Sequence, residues 1–458
     1  MSTTGWRGTG MIRPIVLFVG ALAMLSPAAL AQPEEGSSTW QLFAYLVNKD
    51  AAIRDEAAEM LSRSGDPSMA PAFIQALRFV HPGREWHRAM EKLTDGRFGN
   101  DWGEWMEWLG RQDLTPHPDY LRFKLAILQV IDPAFLRFFP SGVSMKIRPD
   151  LIVWGGVKVD GIPALIHPPL TAAEGSSFLQ DDEPVFGVEL NGQARAYPLR
   201  IVNWHEMVND TLGGTPVSLA YCTLCGSAML FETTLGDTTF TFGSSGFLNE
   251  SNKLMYDHQT ESLWASLHGK PVVGVLAEKG IELQRLPVVR TTWSDWKTDH
   301  PGTPVLSVET GYDRDYTPGA AYGAYFRSDE TMFPVAHRSD LRDDKEWVFG
   351  LLREGGARAY PLKELEGRPV LNDAVGNEPV VVLSEVGRLS VRVYLRADHQ
   401  FVRREGLDLL DTEGRVWTVR EEHLEEGTTG VRLPRLGGHL AFWFGWYAFF
   451  PETTLYEE

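Results

Sequence analysis

Hydrophobic and polar positions change their rhythm once along this chain, near residue 140. Before that point apolar residues recur at helical spacing. In Asp50–Leu61 they fall at Ile53, Ala57, Met60 and Leu61, the three-to-four period of one buried helix face. Gly65-Asp66-Pro67 ends that helix, and Met69–Phe79 begins another. A lone helix pair cannot bury its apolar face, so it must pack on something else. Trp102, Trp105 and Trp108 stand at i, i+3 and i+6, a core-facing stripe. Tyr120–Phe139 reads as a further helix, interrupted near Pro133. After Pro140 the runs become short and alternating, separated by Gly, Pro, Asn and Asp. Val185–Glu189, Gln193–Tyr197, Pro216–Tyr221, Thr238–Phe242, Val380–Leu383 and Ser390–Leu395 are examples. Asn249–Leu263 is the exception, with a helical period. The predicted fold is α+β: a small helical N-terminal domain, residues 32–145, then a mainly antiparallel β domain, residues 146–458, built as a sandwich or barrel.

The β region is internally repeated. Val185–Leu199 matches Val348–Leu362 at ten of fifteen positions, 163 residues later. Without gaps the same offset aligns Asn209-Asp210 with Asn372-Asp373, Gly213 with Gly376, and Pro216-Val217 with Pro379-Val380. Copy one spans about 150–340 and copy two about 341–458. Residues kept in both copies, such as Tyr197, Pro198, Asn209 and Asp210, belong to the scaffold. Cys222 becomes Glu385, Cys225 becomes Arg388, and His205-Glu206 becomes Arg368-Pro369. The chemistry therefore resides in copy one.

Composition adds two constraints. A formal charge of −18 argues against nucleic acid and anionic membrane surfaces as partners. Only two cysteines occur, Cys222 and Cys225, as Cys-x-x-Cys-Gly between apolar runs. This predicts a tight turn between two strands, with Gly226 at positive φ. The N-terminus has the pattern of a secretory signal: Arg7 and Arg13, an apolar run Pro14–Leu25, and Ala29-Leu30-Ala31 before a cut that leaves Gln32 first. Met11 is an alternative start. Cleavage after Ala31 would send the protein to the periplasm or outside the cell, where lone thiols pair unless bound or kept reduced.

Several stretches in order carry a family resemblance: Ala194-Arg-Ala-Tyr-Pro-Leu, Trp204-His-Glu-Met-Val-Asn-Asp, Tyr221-Cys-Thr-Leu-Cys-Gly, Ser251-Asn-Lys-Leu-Met-Tyr-Asp, Thr260-Glu-Ser-Leu-Trp, Thr310-Gly-Tyr-Asp-Arg-Asp-Tyr and Ala441–Pro451. Over roughly 150–458 the chain resembles the bacterial domain of unknown function 3179. The helix pair resembles one HEAT-type repeat. The family supplies no established activity. The resemblance implies Arg and a non-His residue where this chain has His258 and His268, a departure that weakens both as ligands.

The candidate centre is Cys222 and Cys225 with His205 and Glu206, and with Met255, His258 and His268 as further donors. Thiolate, thioether and imidazole suit copper; thiolate and imidazole suit zinc, provided a third group converges on the sulfurs. The leading expectation is an exported copper- or zinc-binding or electron-transfer protein. A thiol–disulfide oxidoreductase with Cys222, Cys225, His205 and Glu206 as catalytic groups is the alternative, and a non-catalytic binding module with the helical domain as its protein-partner surface is another. No H-E-x-x-H, G-x-S-x-G, P-loop or dinucleotide motif occurs. Asp257 and Glu261 flank Thr260 as a potential helix cap, Asp313-Arg314-Asp315 reads as a salt-bridge set, and Phe442–Phe450 is too short to span a bilayer.

Overall fold

The computed structural model describes residues 32–457; the signal-like segment and its cleavage site lie outside them. Six α-helices come first: Thr39–Tyr45, Ala51–Ser62, Ala70–Leu77, Arg84–Leu93, Trp102–Gly110 and Tyr120–Ile131. Their starts are locally encoded. Ser38 and Gln41 form a reciprocal capping box, and Asp50 and Asp101 cap the next-turn amides. The apolar faces join one cluster with Phe247, Leu254, Tyr256 and Val273 of the β region. That contact is what covers the exposed face of the helix pair. Trp105 and Trp108 lie in this core.

The β region uses one plan twice. In the first copy the strands Val289–Thr292, Pro184–Leu190, Gln193–Pro198 and Val305–Leu306 lie side by side. In the second the order is His439–Phe442, Trp347–Arg353, Gly356–Pro361 and Thr454–Leu455. Each set ends in a parallel pair. A second sheet repeats as Met207–Leu212, Thr215–Cys222 and Ser227–Glu232 against Val370–Val375, Glu378–Glu385 and Ser390–Leu395. A third repeats as the meander from Phe242 to Val273 and that from Phe401 to Pro434. The sheets stay open; among the described residues none closes into a barrel.

The persistent residues have physical reasons. Asn209 clasps Phe242, donating to its carbonyl at 2.8 Å and accepting from its amide at 2.9 Å. Asn372 clasps Phe401 in the same way, at 2.7 and 2.9 Å. Asp210 takes Arg195 and the Tyr197 hydroxyl; Asp373 takes Arg358. Trp296 donates to Thr303 and Trp446 to Thr453. Each of these indoles lies flat on a glycine: a Cβ at Gly187 would sit 2.2 Å from Trp296, and one at Gly350 2.1 Å from Trp446. Gly187→Ala is therefore expected to cost about 1–3 kcal/mol through overpacking, read as a lower urea midpoint with an unchanged slope.

Three local expectations are corrected. Asn249–Leu263 holds no helix; it runs through the strands Phe242–Asn249, Asn252–Asp257 and Leu263–Ala265. Asp257 does not cap a helix but closes a turn, accepting from the Thr260 amide and hydroxyl and from the Trp264 indole. Asp313-Arg314-Asp315 forms no ion pair among the described residues: Asp313 and Asp315 are exposed, and Arg314 lies 5.7 Å from the Trp204 ring.

Candidate functional site

The two cysteines sit in the hairpin joining Thr215–Cys222 to Ser227–Glu232, with Cys222 paired to Ser227. Gly226 has φ +63°, as the turn requires. The Phe442 amide donates to the Cys225 carbonyl at 2.8 Å, pinning the turn to the second copy. Both thiols are free and buried, Cys222 2% and Cys225 0% exposed. They face one acceptor, the Ser251 carbonyl, at 3.9 and 3.6 Å. Asn252 Nδ2 donates to Cys225 Sγ at 3.4 Å, and Ser266 holds the Asn252 side chain.

Backbone strain gathers here. Glu250 and Ser251 form the two-residue turn between Phe242–Asn249 and Asn252–Asp257, at φ +49° and +58°. Such turns favour Asn or Gly. Glu206, ending the helix Leu199–His205, has φ +56°, and Tyr322 has φ +58°. Each left-handed non-glycine residue costs on the order of 1–3 kcal/mol and persists only where its surroundings impose it.

A buried polar layer supports the sulfurs. Lys253, 3% exposed, donates from Nζ to the Glu206 and Tyr221 carbonyls at 2.8 Å each. The same nitrogen stands 3.8 Å from the Glu206 carboxyl, whose other oxygen accepts from Thr223 at 2.7 Å. Burial pushes the Lys253 ammonium below its ordinary value, against the pull of Glu206 and Cys222. The sulfurs are driven apart electrically. Burial and the neighbouring Cys222 raise the Cys225 thiol. Burial acts to raise Cys222 too, but hydrogen bonds from the Cys225 thiol and from the Cys225 and Lys253 amides outweigh it, and its value is lowered.

The connection between the two copies closes over the pair. Tyr325 donates to the Leu224 carbonyl at 2.7 Å and packs with Val335, Phe442 and Phe444 around the sulfurs. The N-terminal helices hold this cover down. Glu107 accepts from the Val335 amide at 3.2 Å and from Arg338 at 2.9 Å, while Glu250 accepts from the Ala336 amide at 2.8 Å.

The other sequence candidates lie elsewhere. His205 uses both ring nitrogens: Nδ1 is 2.8 Å from the Pro163 carbonyl and Nε2 2.6 Å from the Tyr316 hydroxyl. A carbonyl can only accept, so Nδ1 carries the hydrogen and Nε2 accepts, an assignment that makes the imidazole neutral; burial lowers its pKa accordingly. Met255 is enclosed by Trp264, Phe231 and Met207. His258 is exposed and stacks on Tyr256. His268 packs edge-on against Phe449 and Phe450, and burial, with Arg285 and Lys270, brings it to about 4. Among the described residues no group of three or more His, Cys, Asp or Glu side chains is arranged to hold a metal ion. The donors that do converge are two sulfurs, which do not complete a zinc or copper site with imidazole.

Sequence reasoning passed over Thr223, Asn252, Lys253 and Tyr325. A signal existed for Lys253. Aligning the turn-closing pair Asn249–Asn252 with Glu405–Asp408 puts Leu409, fully buried, where copy one carries Lys253. The scaffold position takes a leucine; copy one places an ammonium there.

Among the described residues no helix is long and apolar enough to cross a membrane. Comparisons with curated proteins and with solved structures return no match. A family model described as a protein of unknown function (DUF3179) matches residues 159–453. That stretch takes in the thiol turn, its cover and nearly all of both sheet sets, and the chain belongs to the DUF3179 family of proteins of unknown function.

Proposed function

We propose that this protein is a thiol–disulfide redox protein whose reacting pair is Cys222 and Cys225. The carrying observation is that both sulfurs meet at one carbonyl, while the His205 ring is engaged by Pro163 and Tyr316 instead. The polarisation of the pair supports the direction of attack. Cys222, as thiolate, attacks a sulfur of a partner disulfide; that bond breaks, and one partner sulfur leaves as thiolate. Cys225 then attacks Cys222 in the mixed disulfide, giving its proton to the departing partner sulfur. The Cys222–Cys225 bond forms, and the partner leaves with one thiol and one thiolate, the latter free to take a proton from water. Glu206, Thr223 and Lys253 position the turn and set its electrostatics. Export, for which residues 1–31 argue, would place this chemistry in an oxidising compartment. Burial under the 317–346 connection means a macromolecular partner gains access only when that connection lifts.

Equilibration of the folded protein in thiol–disulfide buffers tests this. The expected result is a two-electron transition between dithiol and Cys222–Cys225 disulfide, at a potential above about −300 mV. The thiolate ultraviolet absorbance that titrates at the lower pH should vanish in Cys222→Ser, and in Cys225→Ala it should move to higher pH, because the hydrogen bond from the Cys225 thiol is gone. A lower potential, no transition, or a stoichiometric metal ion on both sulfurs in natively purified protein would overturn the reading.

A further inference from the structure

The two copies meet across a pseudo-twofold axis. The strand Val289–Thr292 of the first abuts Ser390–Leu395 of the second, and His439–Phe442 of the second abuts Ser227–Glu232 of the first. A small cleft, partly open to solvent, lies on this axis, its enclosed part roomy enough for about one water-sized sphere. Six of its eight lining residues form three symmetry-related pairs. Phe186 and Phe349 correspond, as do Ala228 and Val391, by the 163-residue offset. Arg290 and Leu440 correspond by register, one opposite Phe186 and the other opposite Phe349. Two of the three pairs are apolar on both sides. The third replaces leucine with a guanidinium.

That guanidinium is short of partners. Arg290 Nη1 is buried without a hydrogen bond, and no carboxylate among the described residues pairs with it. Its neighbours are the Trp347 ring, 5.3 Å away, the buried Tyr221 side chain, close enough to interact with its charge, and the apolar wall. His439, also lining the cleft and 5% exposed, has a buried Nε2 with no partner. Arg290 as a whole is half-buried, but its Nη1 is sealed from solvent, and a buried polar nitrogen is nearly always satisfied. Copy two shows that the site tolerates leucine, so packing alone does not explain the arginine.

We infer that the inter-copy cleft is an anion site, in which Arg290 Nη1 binds one monovalent anion of about halide size, with His439 beside it. The apolar walls and the small enclosed space exclude polyanions. This inference stands apart from the dithiol reading, since it uses none of the same groups.

Bromide is the probe. At matched ionic strength, sodium bromide is expected to raise the Tm of the full chain over sodium gluconate by about 5 °C once bromide is in hundredfold excess over its Kd. Arg290→Leu, which copies the second half's own residue, should fold and lose this difference. Crystals grown in bromide should show anomalous density beside Arg290 Nη1. An equal bromide effect in wild type and variant, or density that is water without bromide, would overturn the inference.

Discussion

Lys253→Met is expected to destabilise the protein by about 3–5 kcal/mol, a large share of the roughly 5–15 kcal/mol that holds a domain folded. Methionine keeps most of the volume, so the loss is electrostatic. The Glu206 and Tyr221 carbonyls each lose a donor at 2.8 Å, and the Glu206 carboxyl loses the ammonium 3.8 Å away. All three groups stay buried with one donor fewer; the Glu206 carbonyl keeps the Tyr221 amide and the carboxyl keeps Thr223, so the larger part of the loss is a buried carboxylate left without its ammonium. Cys222 also loses a nearby positive charge, so its thiol should titrate higher than in wild type. Chemical unfolding and the thiolate absorbance titration measure the two effects separately. The double variant Lys253→Met with Glu206→Gln should recover part of the stability, because the carboxyl that lost its partner is gone too. A single variant within about 0.5 kcal/mol of wild type would show that the buried ammonium supports nothing.

A comparable loss, about 3–5 kcal/mol, is expected from Glu421→Ala. Glu421 is buried between two guanidinium groups. It accepts from Arg392 Nε at 2.8 Å and Nη2 at 2.6 Å, and from Arg435 Nη1. Arg435 also donates to the Val288 carbonyl at 3.1 Å, linking the second copy to the first. Burial by itself would raise the Glu421 carboxyl; Arg392 and Arg435 overcome it and hold the value at about 2, against an ordinary 4.5. The folded value is the lower one, so the unfolded chain binds the proton first as pH falls. The stabilisation is complete above 4.5 and is lost between 4.5 and about 2, on the order of 3 kcal/mol in all. Urea midpoints across that window should fall less steeply in Glu421→Gln than in wild type. Parallel curves would remove Glu421 as a source of acid sensitivity.

These two lysine and glutamate networks mark where reading the chain residue by residue stops. Helix starts at Ser38, Asp50 and Asp101 are legible because a cap acts within one turn. The repeat is legible because a duplicated scaffold keeps the residues that its own strands need: Gly187 and Gly350 under their indoles, Asn209 and Asn372 in their clasps. The strand Asn252–Asp257 is not legible. All six of its residues are buried. Leu254 and Tyr256 face the helical cluster while Met255 faces the opposite core, and a strand covered on both sides shows no polar alternation.

The sequence by itself determined a helical region, a doubled set of sheets and a thiol turn present in one copy, since each follows from spacing within a short window or from comparing one half with the other. Only the tertiary structure decided what surrounds the sulfurs. His205, three residues from Val208 in sequence, turns to Pro163 and Tyr316, while Lys253 and Tyr325 arrive from a hairpin and a connection far along the chain. Side chains converge through sheet register and burial, and neither is written in the distance between residues along the backbone.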